Sequence, residues 1–219
     1  GWTIPAGSDL ILAGDGLRTR LLRSQPAGAT LTIPAGTPAL VTCLILGTLR
    51  STVQDEAGKY IPGVVGATGI RATLAAGQDL WTDHLHVQGH NVGVDLGDLG
   101  TRRVELRNHM PSGAVGMRLR GGTTWMFGGA TSNSPAQYEV LGEATLVVRD
   151  TWYEGSPLTF LTLREGGRTT FDCGTCAPGR PGANADPDPQ SQGFVQRGTG
   201  SLFLIGMAVQ TGVARLGEG

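Results

Sequence analysis

An all-β solenoid is the fold class that this sequence predicts, and three observations lead to it. A short alternating apolar strand followed by a polar or glycine turn recurs, with starts 19, 21, 21 and 56 residues apart. Glycine is unusually frequent at 36 residues and follows no collagen-like period, so we expect it in turns. Few segments carry helical periodicity. The repeats are Leu85–Gly89, Val104–Asn108, Trp125–Gly129, Leu146–Asp150 and Leu202–Gly206, with one further copy at Thr169–Cys173.

The repeat length explains why these strands should stack. One strand unit of roughly 20 residues cannot bury its apolar face alone, so successive units must pack on each other as coils. The chain of 219 residues is then one domain, because all-β folds of this length commonly are. We expect residues 51–76 to form an irregular coil or loop, and residues 174–193, rich in proline and glycine, to form a loop insertion.

Composition excludes some classes of partner. Only 16% of the residues are charged and the net charge is −1, so neither nucleic acid nor an anionic membrane surface is expected to bind. No apolar run approaches the roughly 20 residues that a membrane span needs. The chain shows no signal peptide, and both ends look cut from the middle of a pattern, which favours a mature or excised piece of a longer protein.

The first 50 residues contain a second repeat. Thr3–Gly7 recurs as Thr32–Gly36, and each copy precedes an apolar stretch. The first copy resembles the opening coils of the pectate-lyase-like superfamily, and the resemblance implies a right-handed, single-stranded parallel β-helix of about eight or nine coils. Enzymes and non-enzymes of that superfamily share this motif. Its residues here are Ile4, Pro5, Ala6, Gly7, Leu10, Leu12, Gly14, Asp15, Gly16, Thr19 and Leu21.

Stacking places equivalent residues one rung apart, at about 4.8 Å. The inward columns predicted for the first strand are Leu85/Val104/Trp125/Leu146/Leu202 and Val87/Leu106/Phe127/Val148/Leu204. Those predicted for the second strand are Val94/Met117/Tyr138/Leu161 and Leu96/Leu119/Val140/Leu163/Leu216. An outward column of alternating charge lies between these two inward columns and consists of Asp95/Arg118/Glu139/Thr162. It is interpreted as a ladder that holds register, with a carboxylate site at Asp95 and Glu139 as the alternative.

The turn after the fourth repeat carries the densest chemistry. Asp150–Gly155 adds two carboxylates and two adjacent aromatic rings to the preceding Arg149. Sugar sites need flat apolar faces for the rings and carboxylates for hydroxyl binding or proton transfer. We therefore predict Asp150, Glu154, Asp172 and Arg149 as catalytic residues, and Trp152 and Tyr153 as a sugar platform. In the alternative interpretation, Trp152 packs over a coil corner and Glu154 caps a turn.

Two further columns pass through this turn. One reads Gln88/Arg107/Gly128/Arg149/Asp172 and the next reads Gly89/Asn108/Gly129/Asp150/Cys173, with His90 and His109 expected on neighbouring rungs. Arg107, Asn108 and His109 are predicted to contact substrate, and Gly128 and Gly129 to leave a dent there. Alternatively, Asn108 and Asp150 close turns by bonding to the backbone. Cys173 and Cys176 form a lone C-x-x-C, expected to be structural, or a disulfide in an oxidising compartment.

The resemblance implies two chemistries. A lyase would abstract a proton with an arginine, lysine, histidine or tyrosine base and a cation, often calcium. A glycoside hydrolase would need two carboxylates roughly 5 to 9 Å apart. The polygalacturonase-like pattern of Asn-x-Asp, then Asp-Asp, then Gly-His-Gly is absent. No metal site is predicted: His84 and His86 are interpreted as solvated strand residues. No cofactor is expected, except calcium if the protein is a lyase.

The predicted role is therefore an extracellular or cell-surface module that contacts polysaccharide. The sequence leaves open whether it cleaves its ligand as a lyase or a glycoside hydrolase. The alternative is a non-catalytic structural or adhesive solenoid, such as a tailspike, fibre or surface-layer component. Open solenoid ends expose unpaired strand edges, which favours a homo-oligomer or a larger parent chain.

Overall fold

The structure is a computed structural model that describes residues 1–25, 27–48, 64–73, 79–97, 103–107, 110–132, 136–154, 159–176, 192–197, 199–209 and 216–217. These residues form strands throughout, apart from turns and one 3₁₀ turn at Gly16–Arg18. The all-β class is confirmed. In the described ranges, no helix is long and apolar enough to cross a membrane.

The strands are numbered in chain order. They are β1 (Trp2–Thr3), β2 (Leu10–Ala13), β3 (Arg20–Arg23), β4 (Gly28–Ile33), β5 (Ala39–Thr48), β6 (Val64–Ala72), β7 (Leu80–Leu96), β8 (Arg103–Arg107), β9 (Met110–Leu119), β10 (Thr123–Phe127), β11 (Ala130–Ser132), β12 (Ala136–Val140), β13 (Thr145–Glu154), β14 (Thr159–Arg164), β15 (Arg168–Cys176), β16 (Gln192–Arg197), β17 (Ser201–Val209) and β18 (Leu216–Gly217).

Every pairing between these strands is parallel, and the pairings form three ladders. Ladder 1 runs through β1, β4, β6, the end of β7, the end of β9, β12, β14, β16 and β18. Ladder 2 runs through the whole of the short strands β2, β8 and β10. It also includes the first residues of the longer strands β5, β7, β13, β15 and β17. Ladder 3 takes β3, β11 and the later parts of the long strands. The chain thus visits each ladder once per coil, which is the pairing pattern of a parallel β-helix.

The interior of ladder 1 follows the predicted columns. Val94, Met117, Tyr138 and Leu161 lie side by side, as do Leu96, Leu119, Val140 and Leu163, and all are buried. Stacked apolar side chains fill the coil at the density of a protein interior. Leu216 departs from the prediction because it pairs with Phe194, which places it in the column of Leu161.

Ladder 2 corrects the predicted register. Its inward residues are Leu80, Thr124 and Leu146 in one column, and Met126, Val148 and Phe171 in the next. Leu85 and Val87 are buried but belong to ladder 3. Trp125 and Phe127 therefore face outward, because side chains alternate and a shift of one residue moves a whole strand to the other face.

The interior explains this register. Tyr138 reaches across from ladder 1, and its hydroxyl donates to the sulfur of Met126 at 3.7 Å. The Tyr138 ring also meets the Phe171 ring at a centroid distance of 5.8 Å. With these side chains filling the coil, the volume opposite Tyr138 suits the slender methionine rather than the indole of Trp125.

The structure describes parts of both predicted loops. Residues 51–76 contain β6, which pairs with β4 and β7 as a full rung of ladder 1, so the irregular coil predicted there is wrong for that part. Its alternation is obscured by Gly66 and Gly69. At the second insertion, β15 extends to Cys176 and β16 begins at Gln192, and residues 177–191 between them lie outside the described ranges.

A column of left-handed residues forms the corner between ladders 2 and 3. Six residues occupy it, with φ between 48° and 63°. The strand registers on either side of the corner place consecutive members of this column either one rung or two rungs apart. Left-handed backbone is accessible to glycine and tolerated by aspartate, but strained for other side chains. This corner column consists of Cys43, His84, Gly128, Asp150, Cys173 and Gly206.

Candidate functional site

The corner of β13 presents the centre of the predicted site. Arg149 ends the ladder 2 part of the strand, Asp150 turns the corner with φ 53°, and Trp152 lies in ladder 3. All three side chains are exposed, and that of Trp152 is 48% exposed. Trp152 is therefore not a buried residue, and about half of its side chain is accessible to solvent.

The next rung adds a carboxylate and a thiol. Asp172 lies beside Arg149, and its Oδ2 is 3.2 Å from Arg149 Nε. Cys173 lies beside Asp150, and its thiol donates to Asp172 Oδ1 at 3.6 Å. That hydrogen bond, together with the negative charge of Asp172, raises the pKa of the Cys173 thiol. Cys173 is a free thiol in the structure, and its raised pKa favours the protonated form.

The preceding rung leaves open space. Gly128 lies beside Asp150 and Gly129 beside Thr151, so no side chain rises next to the corner on that side. The backbone is firmly held there, since Gly128 N donates to Arg149 O at 2.9 Å and Trp152 N donates to Gly129 O at 3.0 Å. Thr151 Oγ1 adds a bond to Gly128 O at 3.1 Å. A ligand could approach this backbone closely, as the predicted dent requires.

The remaining predicted site residues lie as follows. Tyr153 and Glu154 belong to β13, where their backbones pair with β11, but their side chains are not described. Arg107 ends β8 in the same column as Arg149, with Phe127 between them. Asn108 and His109 lie outside the described residues.

Assignments in three predicted columns are wrong. Asp83 occupies the place predicted for Gln88, and Phe127 the place predicted for Gly128. In the next column, the corner residues His84 and Gly128 stand where Gly89 and Gly129 were predicted. His90 pairs with Gly113 rather than lying beside His109. For Gln88, Gly89 and His90 the cause is that β7 is continuous and spans three ladders. For Gly128 and Gly129 the cause is the one-residue register shift of β10.

The outward charge column of ladder 1 is an ion-pair ladder. Arg118 Nε bonds Glu139 Oε2 at 2.6 Å. Asp95 is nearly buried, and its two oxygens face Arg120 at 2.5 Å and Arg71 at 3.8 Å. Because both carboxylates are engaged by arginines on neighbouring rungs, the contacts support the interpretation of this column as a ladder that holds register.

Histidines on β7 do not assemble a metal centre. His84 Nδ1 contacts Asp83 Oδ1 at 3.0 Å at the corner, and both side chains are exposed to solvent. Desolvation lowers the pKa of His86 on ladder 3. Within the described ranges, no three histidine, cysteine or carboxylate side chains gather in a way that could hold a metal ion.

Sequence reasoning missed an outward apolar stripe along ladder 2. Its residues occupy one column, and the backbone register places Glu105 between the two tryptophans. Trp81 is 46% exposed and Phe203 57%. The missed signal is a tryptophan at the centre of both Leu80-Trp81-Thr82 and Thr124-Trp125-Met126. In each case one apolar residue and one threonine flank it. This stripe comprises Ile11, Leu40, Trp81, Trp125, Val147 and Phe203, with Thr170 between the last two.

A shallow groove of about 280 Å³ opens at the first coils of the stripe. Trp81, Asp9 and Asp79 line it, together with apolar residues, and most of the lining surface is apolar. Those apolar residues include Ile11, Pro38 and Leu40.

Comparisons with known proteins support the fold. No protein-family model matches this sequence, and no curated protein matches it. A solved structure, the enzymatically active domain of tailspike protein 2 from bacteriophage CBA120, is similar with a TM-score of 0.50 and 13% identity. The match covers 90% of this chain and 35% of that chain, so this chain spans about a third of the tailspike domain's length. At this identity the likeness shows the fold, an all-β architecture of stacked parallel strands.

Proposed function

We propose that this chain is a polysaccharide-contacting module built on a right-handed parallel β-helix of about eight or nine coils, forming one domain over residues 1–219. The parallel pairings support the winding, because connections between parallel strands are right-handed in about 98% of cases. The proposed location is extracellular or at a cell or phage surface. There a long exposed face can meet a polymer.

The observation that carries this proposal is the apolar stripe of ladder 2. A polymer of sugar rings needs flat apolar surfaces repeated along a line, and Trp81, Trp125 and Phe203 supply large side chains along one column. Polar groups must flank such a surface to fix orientation. Arg149 and Asp172 supply them two residues along their strands from Val147 and Thr170.

The corner of β13 is the proposed place for chemistry on the bound polymer. Arg149, Asp150 and Trp152 are exposed on one coil, and Asp172 joins them from the next. The catalytic roles of Asp150, Glu154, Asp172 and Arg149 stay predictions, as do substrate contacts by Trp152, Tyr153, Arg107, Asn108 and His109. The similar tailspike domain is enzymatically active, which makes an assay for cleavage worthwhile.

Binding is tested first, by affinity electrophoresis of the purified chain through a panel of polysaccharides. We expect Trp125→Ala to weaken binding by about tenfold or more, as loss of an aromatic anchor does. Trp2→Ala is the matched control, because Trp2 is 62% exposed but lies outside the stripe. Equal retardation of both variants and the unmodified chain would contradict the proposal.

Turnover is tested separately, by reducing ends and by the absorbance of unsaturated products. Cleavage that Asp150→Asn and Asp172→Asn abolish, with binding retained, supports a hydrolase or lyase. Binding without turnover places the protein among non-catalytic adhesive modules.

A structural role is the second candidate function, and one feature favours it. Phe203, Leu204 and Ile205 of β17 are all substantially exposed, although Leu204 belongs to an inward column. An end rung of this kind could stack on another chain. Concentration-dependent assembly in light scattering, without polysaccharide binding, would support this candidate over the first.

A further inference from the structure

We infer that the groove beside Trp81 is a subsite for an uncharged sugar residue, a selectivity that rests on the proposed polysaccharide function. The groove lies at the start of the stripe, on the outer side of the first three coils of ladder 2. It is separate from the corner of β13, which lies several rungs away.

The register of ladder 2 fixes the positions of the two carboxylates. Leu10 pairs with Ala39 and Ala39 with Leu80, so the residues just before them, Asp9, Pro38 and Asp79, follow one another rung by rung. Backbone bonds continue this order, since Leu10 N donates to Pro38 O at 3.2 Å and Ala39 N donates to Asp79 O at 3.4 Å. Asp9 and Asp79 are therefore two rungs apart, about 10 Å along the ladder.

The aromatic wall comes from the neighbouring outward column. Ile11, Leu40 and Trp81 are consecutive there, and Ile11 is 75% exposed. Asp9 and Asp79 immediately precede β2 and β7, and both line the same groove as this wall. A ring with an apolar C–H face and hydroxyls at its rim fits between them, the face on the indole and the hydroxyls donating to the carboxylates.

Charge selects among sugars. Among the residues that the structure describes, both ionisable residues lining the groove are acidic and no basic residue lines it. A uronate, sulfate or phosphate group would meet like charge close to Asp9 and Asp79 without a compensating cation. A neutral pyranose gains the hydrogen bonds without that repulsion, so the groove favours neutral over anionic sugars.

The test titrates neutral oligosaccharides of glucose and of N-acetylglucosamine, and in parallel oligogalacturonate, into the purified chain by calorimetry. We expect a neutral oligosaccharide to bind. We also expect Trp81→Ala to weaken it by about tenfold or more, the scale of a lost aromatic anchor. Asp79→Asn should narrow the preference for neutral over anionic oligosaccharide, because it removes one repelling charge. Trp2→Ala should leave binding unchanged, and circular dichroism verifies that each variant is folded.

The outcomes separate this inference from the proposed function. If Trp125→Ala weakens binding and Trp81→Ala does not, or if oligogalacturonate binds as well as the neutral probes, the groove inference is overturned and the polysaccharide function stands. If neither tryptophan matters, both are overturned. If Trp81→Ala instead reduces self-association seen by light scattering, the groove holds a second copy of the chain and the sugar subsite is wrong.

Discussion

Acidification should destabilise this protein through the buried imidazole of His90. The side chain is fully buried, and its Nε2 lies 2.8 Å from Thr30 Oγ1. Its Nδ1 has no hydrogen-bond partner. Burial, aided by the positive charge of Arg23, lowers the pKa of His90 from 6.5 to about 4. The folded protein therefore holds this histidine neutral at pH values where the unfolded chain protonates it.

The sign and size follow from proton linkage. Between pH 6.5 and about 4 the unfolded state binds more protons at this site, so stability rises with pH across that window. The neutral His90 makes its full contribution to folding stability above pH 6.5, and this contribution is lost as the pH falls toward 4. One pKa unit corresponds to about 1.4 kcal/mol, so the difference accumulated from pH 7.5 down to pH 5 is about 2 kcal/mol.

The measurement is urea unfolding of the unmodified chain and of His90→Gln at about pH 7.5 and about pH 5. Glutamine can keep the contact with Thr30 but does not titrate, and the carboxylates titrate alike in both proteins. The unmodified chain should lose about 2 kcal/mol more than the variant between the two pH values. An equal loss in both would refute the desolvated imidazole, as would an NMR titration in which His90 protonates near pH 6.5.

Two further predictions concern other buried or strained positions. Gln137 is fully buried and neither amide atom has a hydrogen-bond partner, so Gln137→Met should raise the free energy of unfolding by about 1–3 kcal/mol. Gln137→Glu should lower it, and a loss with methionine would show that the amide is satisfied after all. Cys173 holds φ 52° at the corner, so Cys173→Gly should raise the thermal midpoint by relieving about 1 kcal/mol of strain. Cys173→Ser keeps the strain and serves as control; equal midpoints for the two variants would count against a strained corner.

The site could be predicted only in part. Arg149, Asp150 and Asp172 follow each other in the repeat, and the structure does bring Arg149 and Asp172 into contact. The stripe containing Trp81 and Trp125 escaped prediction. Alternation in a strand such as Thr123–Phe127 permits either face to be buried. Hydrophobicity alone predicts that the face with the larger aromatic rings is the buried one. The opposite face is buried because Tyr138, from another ladder, fills the space that an indole would need.

By itself, the sequence determined the all-β class, the inward columns of ladder 1 and the alternating charges from Asp95 to Glu139. These depend on a local period of two and on repeats of similar length, which a linear pattern records. Only the tertiary structure decided the register of ladder 2, the left-handed corner and the surroundings of His90. Its contact with Thr30 joins residues 60 positions apart. Such contacts depend on how coils of unequal length close and how their interiors are filled. Side-chain volume across the coil determines which residues fill that interior, and periodicity along the strand does not record it.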